Sequence, residues 1–245
     1  MRDALRFLTT LPLRPAAGPP APSSVRWFPL AGLVLGVTWA LSYAATNLYL
    51  GPFVAAAVVL IADGMMTGGL HLDAFADVVD GVASRRPAEE AVRIMREPQV
   101  GAVGAAGLIL ACLLRVSLLV LAARAPVTLI AVPIAGRAAM ALLLAGTETR
   151  QDGSLAMAFH RPGRRPALDA VGLAAVLTLA PAAVRTNPVP FAGLICLGAA
   201  LVAALGYGWW WRGRFGALTG DGVGACGFVA ETLALIVLGL QLDRV

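Results

Sequence analysis

The sequence contains no lysine, so its 19 basic residues are all arginine. That absence reads as a genomic composition effect and carries no functional weight. Charge of either sign is scarce: 13% of residues are charged, against the roughly 25% usual in soluble domains. At the same time 59% are hydrophobic and the mean hydropathy is +0.80. Water is therefore excluded as the main solvent. Cysteine is limited to Cys112, Cys196 and Cys226, each inside an apolar run and none at metal-ligand spacing. This excludes a disulfide framework and a zinc site, and leaves three small buried side chains. The first 27 residues lack the unbroken apolar core of a signal peptide, because 7–13 is short and interrupted by Pro12 while 15–22 is turn-rich. They read as an interfacial segment.

What is abundant is apolar sequence. Runs at 28–50, 52–70, 100–123, 126–145, 167–184, 189–211 and 223–240 each approach the roughly 20 residues that a bilayer crossing needs. Unpaired backbone groups are too costly in lipid, so each crossing must be helical. The expected fold is all-α: a polytopic bundle of about seven transmembrane helices forming a single domain, 1–245. The second run carries Asp63 and the pair Gly68-Gly69, and the fifth is short and ends on Pro181; either reads as a full crossing or as partly re-entrant.

The basic balance reads as a polybasic nucleic-acid patch or as topology, and topology explains more. With the N-terminus in the cytoplasm, only Arg124, Arg185 and Arg244 fall outside, Arg115 and Arg137 fall within spans, and the other arginines lie inside. The expected location is the bacterial inner or plasma membrane, with no nucleic-acid partner.

Polar residues become ordered in the stretch Gly68-Gly69-Leu70-His71-Leu72-Asp73-Ala74-Phe75-Ala76-Asp77-Val78-Val79-Asp80-Gly81, at the cytoplasmic end of the second run. At 100° per residue Asp73, Asp77 and Asp80 fall within about 60° of arc, on one helix face. Carboxylates roughly 6 Å apart repel by about 3 kcal/mol per pair at an effective dielectric near 20. A solvated acidic helix end or neighbouring arginines would offset this. At a membrane interface the favoured answer is Mg²⁺, which takes one or two carboxylates and completes its shell with water and substrate phosphate. Gly81 either ends the helix or lets a phosphate approach the backbone.

The segment 84–98 predicts a short helix, with Pro87, Glu89 and Glu90 in its first turn. Arg93 and Arg96 share a face there; they receive a phosphate, or Glu89 pairs with Arg93. Gly101, Gly104 and Gly107 open the third run at a spacing suited to close helix packing. Arg115, Arg137 and Glu231 are charges inside spans and hence candidates for function. Arg137 is expected to point at an anionic substrate, Glu231 to pair with an arginine or the metal shell, and Arg115 to pair structurally. The loop 146–165, with Arg150, Asp152, Ser154, His160 and Arg161, reads as a substrate lid or a solvated connection. The glycine-rich turn 214–224 leads into the last helix with Asp221 as N-cap or further metal ligand.

Taken together, these motifs resemble the cobalamin synthase family, the adenosylcobinamide-GDP ribazoletransferases. The matching pieces are Phe7-Leu8-Thr9-Thr10-Leu11-Pro12, Phe28-Pro29-Leu30-Ala31-Gly32, the run at 68–81, Arg93-Ile94-Met95-Arg96 through Gly101, Gly136-Arg137, and Thr219-Gly220-Asp221 with Gly224-Ala225. Ala74 stands where the family commonly has glycine, and Phe228 where a second acid is common before Glu231. The resemblance implies transfer of α-ribazole or its 5′-phosphate onto adenosylcobinamide-GDP, with release of GMP and use of Mg²⁺. For that chemistry the residues here suggest Asp73, Asp77 and Asp80 for the metal, with Asp221 completing the site or orienting its waters, Asp80 or Asp77 for proton transfer, and Arg93, Arg96 and Arg137 for the phosphates; His71 and Glu231 are further candidates. The resemblance also leaves room for a homo-oligomer and for association with other enzymes of nucleotide-loop assembly.

Two alternatives stand beside it. Asp77-Val78-Val79-Asp80-Gly81 reproduces the first half of the CDP-alcohol phosphatidyltransferase pattern, but Ile94, Pro98 and Ala102 occupy the positions of its second half. A small transporter suits seven helices with buried charges, but here the acids cluster at one membrane face instead of the midplane.

Overall fold

The computed structural model describes residues 1–14, 20–150, 158–160, 162–179, 189 and 191–242. The described residues form helices with no strand beyond an isolated bridge between Thr149 and Leu218. In chain order they are α1 (Arg2–Leu8), α2 (Phe28–Thr67), α3 (Leu70–Ala83), α4 (Ala88–Met95), α5 (Ala102–Val120), α6 (Ala131–Gly146), α7 (Arg164–Thr178), α8 (Ala192–Phe215) and α9 (Gly220–Leu242). Short 3₁₀ turns precede α2 and α6.

Helix α2 contains two crossings. Gly51 adopts φ 79°, open to glycine alone at little cost, and Pro52 after it has no N–H to continue the ladder. The chain therefore turns back there, separating the arms 28–50 and 52–67 where the sequence places its first two runs. Gly68 and Gly69 are also left-handed and end the second arm, so it is a crossing that breaks before α3 and not a re-entrant loop. The N-terminal segment closes that break: the Thr10 amide donates to the Met66 carbonyl (2.7 Å) and its hydroxyl to the Met65 carbonyl (3.0 Å). Phe7 packs edge-on against Phe159, and Ala4 and Leu8 are fully buried. The interfacial segment is thus docked into the bundle.

Five segments are long and apolar enough to cross a membrane among the described residues, and the longest, Pro22–Thr67, holds both arms of α2. Helix α7 is a shorter pass of 15 residues. Its end lies against the start of α8, where Gly193 meets the Thr178 carbonyl so closely that no Cβ would fit. The expected continuation of this run over 180–184 lies outside the described residues. With the two arms of α2 counted separately and α7 added, the described residues make seven passes along the bundle. Near one end lie α1, α3, α4 and the start of α9; at the other, Arg124 donates to the Leu242 carbonyl (2.9 Å). The two ends of the chain thus face opposite sides, as an odd number requires.

Helix α6 is almost wholly buried between α2, α7, α8 and α9. Around it, Leu41, Phe53, Ile61, Leu110, Leu113, Val202 and Leu205 are exposed, an apolar surface a soluble monomer would not carry. This is a multi-pass membrane protein.

Candidate active site

Helix α3 sits at the end of the bundle where α5 and α9 begin and packs mainly on those two helices. Its apolar side is fixed by Phe75 stacked on Phe228 (ring centroids 4.5 Å apart) and by Ala74 against Gly224. The alanine at 74 is accommodated because its partner in α9 is a glycine.

The opposite face carries the acids. Asp73 is exposed, and Asp77, Asp80 and Asp221 are half-buried. Burial first, and then the Asp73, Asp221 and Asp80 carboxylates, push Asp77 up to about 7. Asp221, from the first turn of α9, therefore joins the α3 acids, and Arg96 at the C-cap of α4 is close enough to act electrostatically on it. Among the described residues the Asp73, Asp77 and Asp221 carboxylates have no hydrogen-bond or ion-pair partner.

Asp80 differs. Its Oδ2 accepts from the Gly101 amide (2.7 Å) and its Oδ1 from the Gly104 amide (2.7 Å), so it caps the N-terminus of α5. A Cβ at Gly101 would stand 2.5 Å from Asp80 Oδ1, and one at Gly104 would overlap the same carboxylate. Gly101 and Gly104 therefore make room for a capping side chain, and Gly104 against the Ala76 carbonyl and Gly107 against Val79 also give the close packing of α5 on α3 that their spacing suggests. Gly81 likewise neither ends α3 nor borders an open site: it is buried against Ala91 and Met95 of α4.

The other predicted residues are distributed as follows. Arg93 is exposed and pairs with Glu97 (3.3 Å), not with Glu89. Glu89 instead takes a two-pronged contact from Arg150 (2.6 and 3.1 Å). The Arg150 amide donates to Leu218 (2.9 Å), which ties the α6–α7 loop to the turn before α9. His160 meets the Thr149 hydroxyl at 2.6 Å. Asp152, Ser154 and Arg161 of the expected lid, and Arg185 and Arg244 of the arginine count, lie outside the described residues.

Arg137 and Glu231 belong to a separate buried set. Glu231 pairs with Arg137 through one oxygen and with Arg115 through the other (3.2 Å). Arg115 also bonds the Thr232 hydroxyl (2.9 Å) and the Phe228 carbonyl, and lies 3.5 Å over the Phe228 ring. Phe228 thus serves the arginine where a second acid is common. Asp63 acts electrostatically on both arginines and accepts from Trp39 Nε1 (2.9 Å). Two arginines and two acids make this cluster neutral overall. The sequence offers Asp63 only as a reason to doubt its span; the rule that marks Arg115 also marks it. His71 is buried next to this set, and neither of its ring nitrogens has a partner among the described residues.

No three His, Cys, Asp or Glu side chains among the described residues are grouped so as to hold a metal ion unaided. The carboxylates of Asp73, Asp77 and Asp221 are nonetheless hard oxygen donors without partners among the described residues, suited to a cation that draws the rest of its shell from water and phosphate. Asp77 also supplies a pH signature. Its pKa is raised on folding, so its contribution to stability is full below about 4 and is lost as pH rises through about 7. With chelator present, the midpoint of thermal unfolding is expected to fall between pH 4 and pH 8. Asp77→Asn should flatten that slope; an unchanged slope would contradict the clustering.

The cobalamin-5-phosphate synthase family model matches residues 1–239. Curated relatives named adenosylcobinamide-GDP ribazoletransferase include a protein of Roseiflexus sp. (strain RS-1), 37% identical over 98% of this chain and 88% of its own length. Those of Chlorobaculum tepidum (35%; 98% and 94%) and Pseudomonas syringae pv. syringae (34%; 97% and 97%) are similar along nearly the whole chain. No solved structure matches. A match running from the docked N-terminal segment through the acidic face of α3 to the last helix leaves no room for the alternatives: the chain belongs to the cobalamin-5-phosphate synthase family.

Proposed function

We propose that this chain is an adenosylcobinamide-GDP ribazoletransferase that joins α-ribazole, or its 5′-phosphate, to adenosylcobinamide-GDP in cobalamin biosynthesis. The carrying observation is the gathering of Asp73, Asp77 and Asp221 on one face with Arg96 beside them. In the reaction a ribazole hydroxyl oxygen bonds to the corrinoid-side phosphorus of the pyrophosphate. The bond from that phosphorus to the bridging oxygen breaks, GMP leaves with that oxygen, and the hydroxyl proton passes to a base.

Asp73 and Asp221 suit Mg²⁺, which when bound would neutralise pyrophosphate charge. Asp77 is the better base. Its pKa near neutrality balances availability of the anion against proton affinity, whereas both Asp80 oxygens are already held by amides. Asp80 positions α3 against α5. Arg96, with Arg93 one turn away, takes the phosphates, and Arg137 acts from the buried set as a support for α6 and α9. The site faces the cytoplasm: Arg85, Arg86, Arg93, Arg96, Arg150, Arg212 and Arg214 all belong to loops or helix ends near it.

The test is GMP release by purified protein in liposomes. Release is expected only when the GDP-activated corrinoid, a ribazole donor and Mg²⁺ are all present. GMP formed without the ribazole donor would mean hydrolysis, and no GMP under any combination would refute the assignment.

A further inference from the structure

Behind the acidic face, on the other side of α3, lies a cavity of about 340 Å³ between α3, α8 and α9. Phe75, Val78, Val79, Val82, Tyr207 and Trp210 line it, and its wall is almost entirely apolar. Trp210 also borders a second recess, formed with Trp209, Arg212 and Arg214 at the end of α8. An apolar slot and a basic rim thus meet at one side chain.

We propose that this groove binds an anionic phospholipid, with an acyl chain in the slot and the headgroup phosphate on Arg212 and Arg214. Three observations support that occupant. Trp209, which lines the recess, is 75% exposed, so the groove opens where lipid surrounds the protein. The tyrosine and tryptophans stand at the end of a crossing, where amphipathic rings sit at headgroup depth. Both arginines are held in place without being neutralised. Arg212 donates to the Gly146 carbonyl (3.1 Å) and the Thr147 hydroxyl (3.2 Å), Arg214 donates to the Arg86 carbonyl (2.7 Å), and neither has an acidic partner among the described residues. Basic pockets between helices at the cytoplasmic side are a recurrent way of holding anionic lipid.

Detergent-purified protein can be titrated with phosphatidylglycerol, phosphatidylcholine or glycerol 3-phosphate and followed by native mass spectrometry. Phosphatidylglycerol is expected to be retained in preference to the other two. At about 1 kcal/mol per arginine, R212Q/R214Q should weaken it by roughly thirtyfold. Val82→Phe, at a partly exposed position, should narrow the slot and weaken it by about tenfold, the equivalent of roughly two methylenes removed from contact. If the double variant does not fold, Val82→Phe decides alone. Equal retention of phosphatidylcholine, displacement by glycerol 3-phosphate at equal concentration, or unchanged binding in Val82→Phe would each overturn the proposal.

Discussion

Glu231→Ala is expected to be the most damaging single change to stability, lowering it by about 3–5 kcal/mol, the usual result of removing one partner from a buried ion pair. Glu231 is buried and serves both Arg115 and Arg137, which are themselves buried. Arg115 would keep its bonds to Thr232 and Phe228 and its place over the Phe228 ring. Arg137 would keep less. Its Nε and Nη2 already lack partners among the described residues, and Glu231 is its one ion-pair partner there. Asp63 would then be a single acid facing two arginines across a core that cannot recruit bulk water. The cost therefore falls on an uncompensated cation rather than on lost packing. Two further variants separate these causes: Glu231→Gln, nearly isosteric, should still be strongly destabilising, and Glu231→Gln combined with Arg137→Gln should recover part of the loss. Thermal unfolding in detergent reads all three. A loss below 1 kcal/mol in Glu231→Ala would mean that Asp63 and water neutralise the arginines.

The buried cluster marks the boundary of what one sequence reveals. Arg115, Arg137 and Glu231 stand out because a charge inside an apolar run is costly and needs a reason. Helical period is equally plain within one element, which is why Asp73, Asp77 and Asp80 can be placed on one face before any coordinates. Partners across helices are not visible in this way. Glu231 and Arg137 are 94 residues apart and Arg115 and Glu231 are 116 apart; nothing in local composition says which pairs will meet. Asp80 is the instructive case. Its place on the acidic face is correct, yet its carboxylate turns to the amides of Gly101 and Gly104, 21 and 24 residues on. The exposed N-terminus of α5 competes for the same oxygens as a metal, and the glycines that admit the carboxylate also serve the helix packing that their spacing announces. Gly51 followed by Pro52, by contrast, announces its turn locally, because both residues act on the backbone itself.

That difference among the aspartates leads to the largest effect expected on turnover. Asp73→Asn and Asp77→Asn should each reduce the rate of GMP formation by about a hundredfold or more, the range for losing a positioned acid–base group or a ligand on the reacting phosphates. They should fail in different ways. Asp73→Asn loses charge from the set that suits Mg²⁺, so raising Mg²⁺ should return part of the rate. Asp77→Asn should not respond to Mg²⁺. In the unsubstituted protein the rate should rise with pH as Asp77, pushed up to about 7, loses its proton; that acidic limb should disappear in Asp77→Asn. Asp80→Ala belongs to another kind. Two amides at the start of α5 lose their acceptor, so stability should fall by about 1–2 kcal/mol, and Asp80→Asn, which keeps one acceptor oxygen, should lose less. Both Asp80 variants should retain the acidic limb of the pH profile in whatever activity they keep. If Asp80→Asn lost that limb while Asp77→Asn kept it, the base would be Asp80 and the cap would be the incidental contact. Near-normal rates in Asp73→Asn and Asp77→Asn, in proteins that remain folded, would remove the acidic face of α3 from the chemistry altogether.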